Sequence, residues 1–231
     1  MKPGRRRLFL MRHGEVRYFD SDGRPVHPRD VPLTENGEAD AKAIGELLAD
    51  TAFDAALHTG VPRTMRTLDL VLAGRHLPTE EARDFREVTA GRLTGRTIDD
   101  VQSLFEDSMR QAHLPGARHA EGEVFAEFYA RVTGAVQTLL TKDWTTLLLV
   151  AHEGTNRMLL GWASGAGLAA VGGFEQDPAC LNIIDIDMHG PAPRPFIKAM
   201  NLTPRNPHKA GNHMTSMEQV FAARARPGKE N

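Results

Sequence analysis

The residues with the clearest chemical potential stand at the ends of two short apolar runs. Leu8–Met11 leads into Arg12, His13 and Gly14. Thr146–Val150 leads into His152 and Gly154. Each run reads as a buried strand, and ligands of α/β sheets bind outside the carboxyl ends of strands. A phosphate monoester, a dianion near neutral pH, is a fitting ligand for such a place. Cleaving it requires a neutralised phosphate, a nucleophile and a proton for the leaving oxygen. Metal ions often supply the first. Here the sequence has no clear Asp/Glu cluster for Mg²⁺, no Cys/His spacing for Zn²⁺ and no P-loop. Arginine is the alternative, because its planar fork matches phosphate oxygens.

The elements that must position these residues follow from periodicity. Residues 17–32 hold three Pro, three Asp and a Gly and read as a loop. Thr34 is a fitting N-cap for a helix with Ala43, Ile44, Leu47 and Leu48 at i, i+4 spacing. Asp54–His58 is a second strand. Pro62 opens the next helix, whose apolar face is expected to be Met65, Leu68 and Leu72. Residues 79–86 read as a weaker extended segment. Residues 89–122 contain four Gly and little regular pattern apart from a short helix at Ile98–Phe105. Glu123–Thr141 is helical, and a further helix runs through Met158–Trp162. Leu181–Asp187 and Phe196–Met200 close the pattern as strands. Alternating strands and helices predict an α/β domain with a largely parallel central sheet.

The bulk numbers bound the function. The chain has 231 residues and a formal net charge of -2, with 28 basic against 30 acidic residues. No global basic field exists to hold nucleic acid, so an anion must be held by a local cluster. Arg5, Arg6 and Arg7 precede only four apolar residues, too few for an export segment or a membrane span. The triplet reads as a solvated lead-in to a strand, and the protein as cytoplasmic with no membrane partner. The single cysteine, Cys180, fits a reducing compartment and reads as a small core residue.

Arg12-His13-Gly14 after an apolar strand resembles the signature of the histidine phosphatase superfamily, also called the phosphoglycerate mutase-like family. Four further segments match in the family's order. Pro32 to Gly37 is similar to its first-helix opening. Thr59 to Arg63, with Thr67 four residues on, resembles its second-arginine segment. Glu87, Gly91, Leu93 and Gly95 reproduce the spacing around its acidic residue, and Val150 to Gly154 resembles its second-histidine segment. The resemblance covers about residues 7–203.

That resemblance implies a three-layer α/β/α sandwich and no metal or other cofactor. His13 would be the nucleophile, forming a phosphohistidine that water hydrolyses. Arg12, Arg63, His152 and Glu153 would line the phosphate pocket. Glu87 would act as general acid and then base, with Asp84 or Glu81 as substitutes. Two guanidiniums and the His152 imidazolium would offset the dianion and favour a neutral His13. N–H groups at the helix start after His152 would add anion donors. Glu87 would need a raised pKa. Val16 and Phe19 depart from the family's common pattern, standing where a hydroxyl and an amide usually touch phosphate or orient the site.

The expected activity is hydrolysis of a small phosphorylated metabolite. The alternatives are a mutase-like phosphotransferase and a non-catalytic module binding a phospholigand or protein. Mutase relatives tend to carry a longer insertion after the acid motif, which favours the phosphatase. Residues 16–31 and 92–122 are expected to form the mouth, with Arg17, Tyr18, Arg92, Arg110, His113, Arg118 and His119 as specificity candidates. The whole chain reads as one domain with a loop-rich insertion at about 92–122 and a tail from about 204. In that tail Met214, Met217 and Phe221 would form the apolar side of a short helix, docked on the domain or on a partner subunit in a homodimer.

Overall fold

A computed structural model describes residues 4–18, 26, 31–92 and 97–224. Six strands form one sheet in the order β3-β2-β4-β1-β5-β6. They are β1 (Arg5–Arg12), β2 (Ala55–His58), β3 (Thr79–Glu81), β4 (Thr146–Ala151), β5 (Leu181–Asp187) and β6 (Arg194–Leu202). β1, β2, β3 and β4 pair in parallel, and β5 runs antiparallel to both of its neighbours. Only β5 is therefore reversed, and the sheet is largely parallel as expected.

The central strands are apolar on both faces because helices cover both. Leu8 and Leu10 of β1, with Leu147 and Leu149 of β4, face one core. Phe9 and Met11, with Leu148 and Val150, face the other. The first core is filled from α4 (Phe125–Thr141) and α5 (Glu153–Ser164) by Phe125, Phe128, Val132, Met158 and Leu159. The second is filled from α1 (Glu35–Leu47) and α2 (Pro62–Leu72) by Ile44, Leu68 and Val71. Two helical layers around one sheet make the three-layer sandwich. Each fully buried Leu or Phe contributes about 1.5–3 kcal/mol, so the centre of the sheet is its most stable part.

Local signals set the boundaries. Thr34 caps α1 by accepting the Gly37 N–H at 3.0 Å, and Pro62 occupies the first position of α2. Helix phase differs from expectation at two positions. Leu47 and Met65 are exposed, because α1 presents Ala41, Ile44 and Gly45 to the core. α2 presents Thr64, Thr67, Leu68 and Val71. The basic triplet is likewise part of β1 rather than a solvated lead-in. Arg5 and Arg7 lie opposite Asp187 and Asp185 in the β1–β5 register and pair with them at 3.2 and 2.6 Å. Arg6 lies over the Trp144 ring and donates to the Leu140 carbonyl.

Beyond β3, the described residues from Thr97 form a helix in a stretch otherwise rich in glycine. α3 spans Ile98–Ser108 and opens with a capping box between Thr97 and Asp100. After α5 come the short α6 (Leu168–Val171) and, beyond β6, α7 (Ser216–Arg224). Phe221 of α7 is buried against Phe105 of α3, while Met214 is exposed. The tail helix thus docks on its own domain. No described helix is long and apolar enough to cross a membrane. Most of the loop at 17–32, with Phe19, lies outside the described residues, as do Leu93 and Gly95.

Candidate active site

The topology brings the two histidines together. β1 and β4 are parallel neighbours, and Arg12 lies in register with Ala151. The next residue on each strand is therefore a histidine at the carboxyl edge. The His13 N–H donates to the Ala151 carbonyl at 3.1 Å. The two imidazole centroids are 5.4 Å apart, and both side chains are buried. Gly14 follows, and its N–H donates to Thr67 Oγ1 at 3.0 Å. A methyl group on Gly14 would stand 2.6 Å from the Gly37 carbonyl oxygen, and one on Gly37 would strike the backbone of Glu15. Both glycines are thus required by a direct backbone contact between the loop after β1 and the start of α1.

The hydrogen bonds fix which nitrogens carry protons. His13 Nδ1 lies 2.8 Å from the Gly14 carbonyl, which only accepts. Nδ1 therefore holds the proton and Nε2 keeps its lone pair. Burial, then the charges of Arg63, His152 and Arg12, hold the His13 pKa well below the usual histidine range. His13 is a neutral imidazole whose Nε2 has no hydrogen-bond partner among the described residues.

His152 is fixed by a one-way chain. An Arg63 N–H donates to its Nδ1 at 3.3 Å. Its Nε2–H then donates to Thr59 Oγ1 at 2.8 Å. Thr59 donates on to Thr64 Oγ1, and Thr64 to the Val61 carbonyl. Burial and the neighbouring Arg63 and Arg12 push its pKa well below the usual value. The expected imidazolium is therefore a neutral imidazole here, because Arg63 occupies the nitrogen that a second proton would need.

Arg12 is buried, and its Nη1 meets the Gln176 carbonyl and, at 3.1 Å, Glu153 Oε2. Its Nε is a buried donor with no acceptor among the described residues. Burial opposes its charge, but Glu153 together with Tyr18, Cys180 and Glu87 more than offsets this, and its pKa is raised. Arg63 enters from the first turn of α2 and is also buried. Glu153 is placed differently from expectation. Its carboxylate is enclosed by Arg12, by Arg157 at 2.9 Å and by Ser216 Oγ at 3.0 Å. Burial would raise its pKa, but those groups hold it lowered and ionised. An ionised carboxylate repels phosphate, so its side chain acts on Arg12 instead.

Glu87 is held on a loop tied down from two helices. Thr155 of α5 donates to the Phe85 carbonyl, and Arg131 of α4 donates to the carbonyls of Asp84 and Arg86. Glu87 accepts the N–H groups of Val88 at 2.9 Å and Gly154 at 3.0 Å. Burial raises its pKa by more than these donors and Arg12 lower it. The Gly154 N–H at the start of α5 is thus already used by Glu87. Asp84 is exposed, and Glu81 is engaged with Arg83 and Arg86. Neither stands in for Glu87.

The structure therefore gathers Arg12, His13, Arg63, Glu87 and His152, with Glu153 behind Arg12. Tyr18 joins them. It is half-buried, its pKa is raised by burial, and it lies within electrostatic reach of Arg63, Arg12, Glu87 and Glu153. Arg17, Arg92, Arg110, His113 and Arg118 are exposed, and Arg118 donates to the Gly122 carbonyl. His119 departs from its expected place at the mouth. It is buried between Phe105 and Phe125, bonds Ser108 at 2.9 Å, and has its pKa pushed down to about 4 by burial. Cys180 is buried, and burial pushes its thiol up to about 12, in keeping with a core residue. Thr59, Gln176 and Ser216 touch the site residues, yet none had a site role in the sequence reading. Thr59 was legible only as part of the second-arginine segment. Gln176 and Ser216 carry no motif.

Comparison with known proteins identifies relatives of the whole domain. The chain is 30% identical over 186 residues to the adenosylcobalamin/alpha-ribazole phosphatase of Escherichia coli (strain K12), covering 78% of this chain and 90% of that one. It is 25% identical over 213 residues to the 2-carboxy-D-arabinitol-1-phosphatase of Triticum aestivum, covering 89% of this chain and 42% of the wheat protein. Among solved structures, the alpha-ribazole phosphatase of Shigella flexneri superposes with a TM-score of 0.70 at 26% identity, over 84% of this chain and 96% of that one. Residues 8–197 match the sequence profile of the histidine phosphatase superfamily (branch 1). With its histidine pair at the carboxyl edge of the sheet, the chain belongs to that superfamily.

Proposed function

We propose that this protein is a metal-independent phosphatase that cleaves a small phosphomonoester through a phosphohistidine on His13. The observation that carries this reading is the hydrogen bond from His13 Nδ1 to the Gly14 carbonyl. It leaves the Nε2 lone pair available for attack, in a site that also holds the buried Arg12 and Arg63. The phosphatase names of the relatives support the same class.

In the first step His13 Nε2 bonds phosphorus as the bond to the leaving oxygen breaks. Glu87, whose carboxyl pKa is raised by burial, gives its proton to that oxygen. Arg12 and Arg63 hold the phosphoryl oxygens, and a phosphate oxygen that takes the Arg63 N–H frees Nδ1 of His152 for a proton. In the second step water attacks phosphorus, Glu87 takes the water's proton, and the nitrogen–phosphorus bond breaks. Inorganic phosphate and the original histidine are restored.

The test is a rapid quench with a labelled phosphomonoester. The expected result is protein-bound label that is acid-labile and base-stable, present in the wild type and lost in His13→Ala. Undiminished labelling or turnover in a folded His13→Ala protein would refute the assignment.

A further inference from the structure

The tail helix α7 reaches the phosphate site through one buried hydroxyl. Ser216 is its first residue and only 2% exposed. Ser216 Oγ lies 3.0 Å from Glu153 Oε2 and 2.8 Å from Glu175 Oε1, and its N–H donates to Glu175 Oε1 at 3.0 Å. The same Glu153 oxygen pairs with Arg12 at 3.1 Å. Arg157 closes the ring by pairing with Glu153 at 2.9 Å and Glu175 at 3.3 Å. The residue after Glu175 is Gln176, whose carbonyl is the other acceptor for Arg12 Nη1. Both acceptors of the Arg12 guanidinium thus sit on elements to which Ser216 is tied.

This placement is built by more than one contact. Thr215 and Glu218 form reciprocal bonds at the start of α7, with Glu218 accepting the Thr215 N–H at 2.6 Å and its hydroxyl at 2.9 Å. Phe221 packs on Phe105 of α3. Gln219 donates to Asn212 and to the Met214 carbonyl, fixing the approach to the helix. The chain therefore invests a cap, an aromatic contact and a side-chain clamp in holding Ser216 where it is.

We propose that Ser216 is a positioning residue of the phosphate site, acting through the Glu153 carboxylate on the Arg12 guanidinium. A hydroxyl that bonds one carboxylate oxygen limits how the carboxylate can rotate. That in turn holds the guanidinium plane, and a planar fork binds phosphate well only when its plane is fixed. The inference rests on the phosphatase reading, in which Arg12 binds the phosphoryl group.

The experiment measures binding of inorganic phosphate by calorimetry, alongside thermal unfolding and kcat and KM on p-nitrophenyl phosphate. Wild type, Ser216→Ala, Phe221→Ala and Arg12→Ala are compared, all as full-length chains. For Ser216→Ala, phosphate Kd is expected to rise about tenfold, the scale of one hydrogen bond to a charged group. KM should rise with it more than kcat falls, with little change in melting temperature. Phe221→Ala, which leaves Ser216 chemically intact but loosens α7, should weaken phosphate in the same direction. An unchanged phosphate Kd in Ser216→Ala, with Arg12→Ala losing binding, overturns the role of the tail and leaves the phosphatase reading standing. Absence of phosphate binding and turnover in the wild type overturns both.

Discussion

Glu87 accepts the Gly154 N–H at 3.0 Å, and a methyl group at position 154 would stand 2.5 Å from Glu87 Oε1. The glycine after His152 and Glu153 is therefore what lets a carboxyl group reach the start of α5. Gly154→Ala should drive the Glu87 side chain aside while leaving His13 and both arginines in place. An alkoxide leaving group needs a proton, whereas nitrophenolate needs little help. Single-turnover phosphorylation by an alkyl phosphate should slow by about 10–100-fold, within the usual range for general acid catalysis. The same step with p-nitrophenyl phosphate should change far less. Equal losses for the two leaving groups would argue against Glu87 as the acid.

The pH profile follows from two opposed shifts. The His13 pKa is lowered, so its neutral, nucleophilic form persists below the usual histidine range. The Glu87 pKa is raised, so its proton-donating form persists above the usual carboxylate range. For an alkyl phosphate, kcat/KM should therefore be greatest on the acid side of neutrality and fall as pH rises through the Glu87 pKa. That alkaline limb should be missing from the phosphorylation step in Glu87→Gln with the same alkyl phosphate. A limb of the same position in the variant would assign the titration to another group.

His119 makes a separate prediction about stability. Its folded pKa is about 4 against 6.5 for the free side chain. Between those values the unfolded chain binds a proton that the folded one refuses, so stability falls as pH drops below 6.5. By linkage the loss at pH 5 relative to pH 7.5 is about 2 kcal/mol. His13 and His152 act in the same direction but are common to wild type and a His119→Gln variant. Urea unfolding at the two pH values should show a smaller loss in the variant. An equal loss in both would mean that His119 is protonated in the folded protein.

If cationic side chains neutralise the phosphate, chelation should leave turnover unchanged. The measurement is kcat/KM before and after EDTA followed by desalting. A loss of activity restored by Mg²⁺ or Zn²⁺ would overturn the metal-independent scheme.

The parts of this fold most legible in the sequence are those set by local rules. β4 is a continuous apolar run, Thr34 is a capping residue three positions before Gly37, and Pro62 marks the start of α2. The motif residues Arg12, His13, Arg63, Glu87 and His152 converge because parallel strands bring their carboxyl ends together. What escaped depends on partners distant in sequence. Arg5 and Arg7 look like a solvated basic run until β5 places Asp187 and Asp185 opposite them. His119 looks like a rim residue until Phe105 and Phe125 enclose it. Glu153 sits in the second-histidine motif, yet its charge is spent on Arg12 and Arg157. Ser216 is one of five serines, and nothing marks it out until α7 docks.

The contact between Gly14 and Gly37 has a bearing on how such a pocket can change. There main chain touches main chain, and neither residue carries side-chain atoms that selection could enlarge, shorten or charge. An added carbon at either position meets fixed backbone rather than a side chain able to move aside. This contact between the loop after His13 and α1 is consequently a constant that no single substitution at either position can alter without moving main chain. A laboratory library aimed at altered selectivity does best to leave positions 14 and 37 untouched.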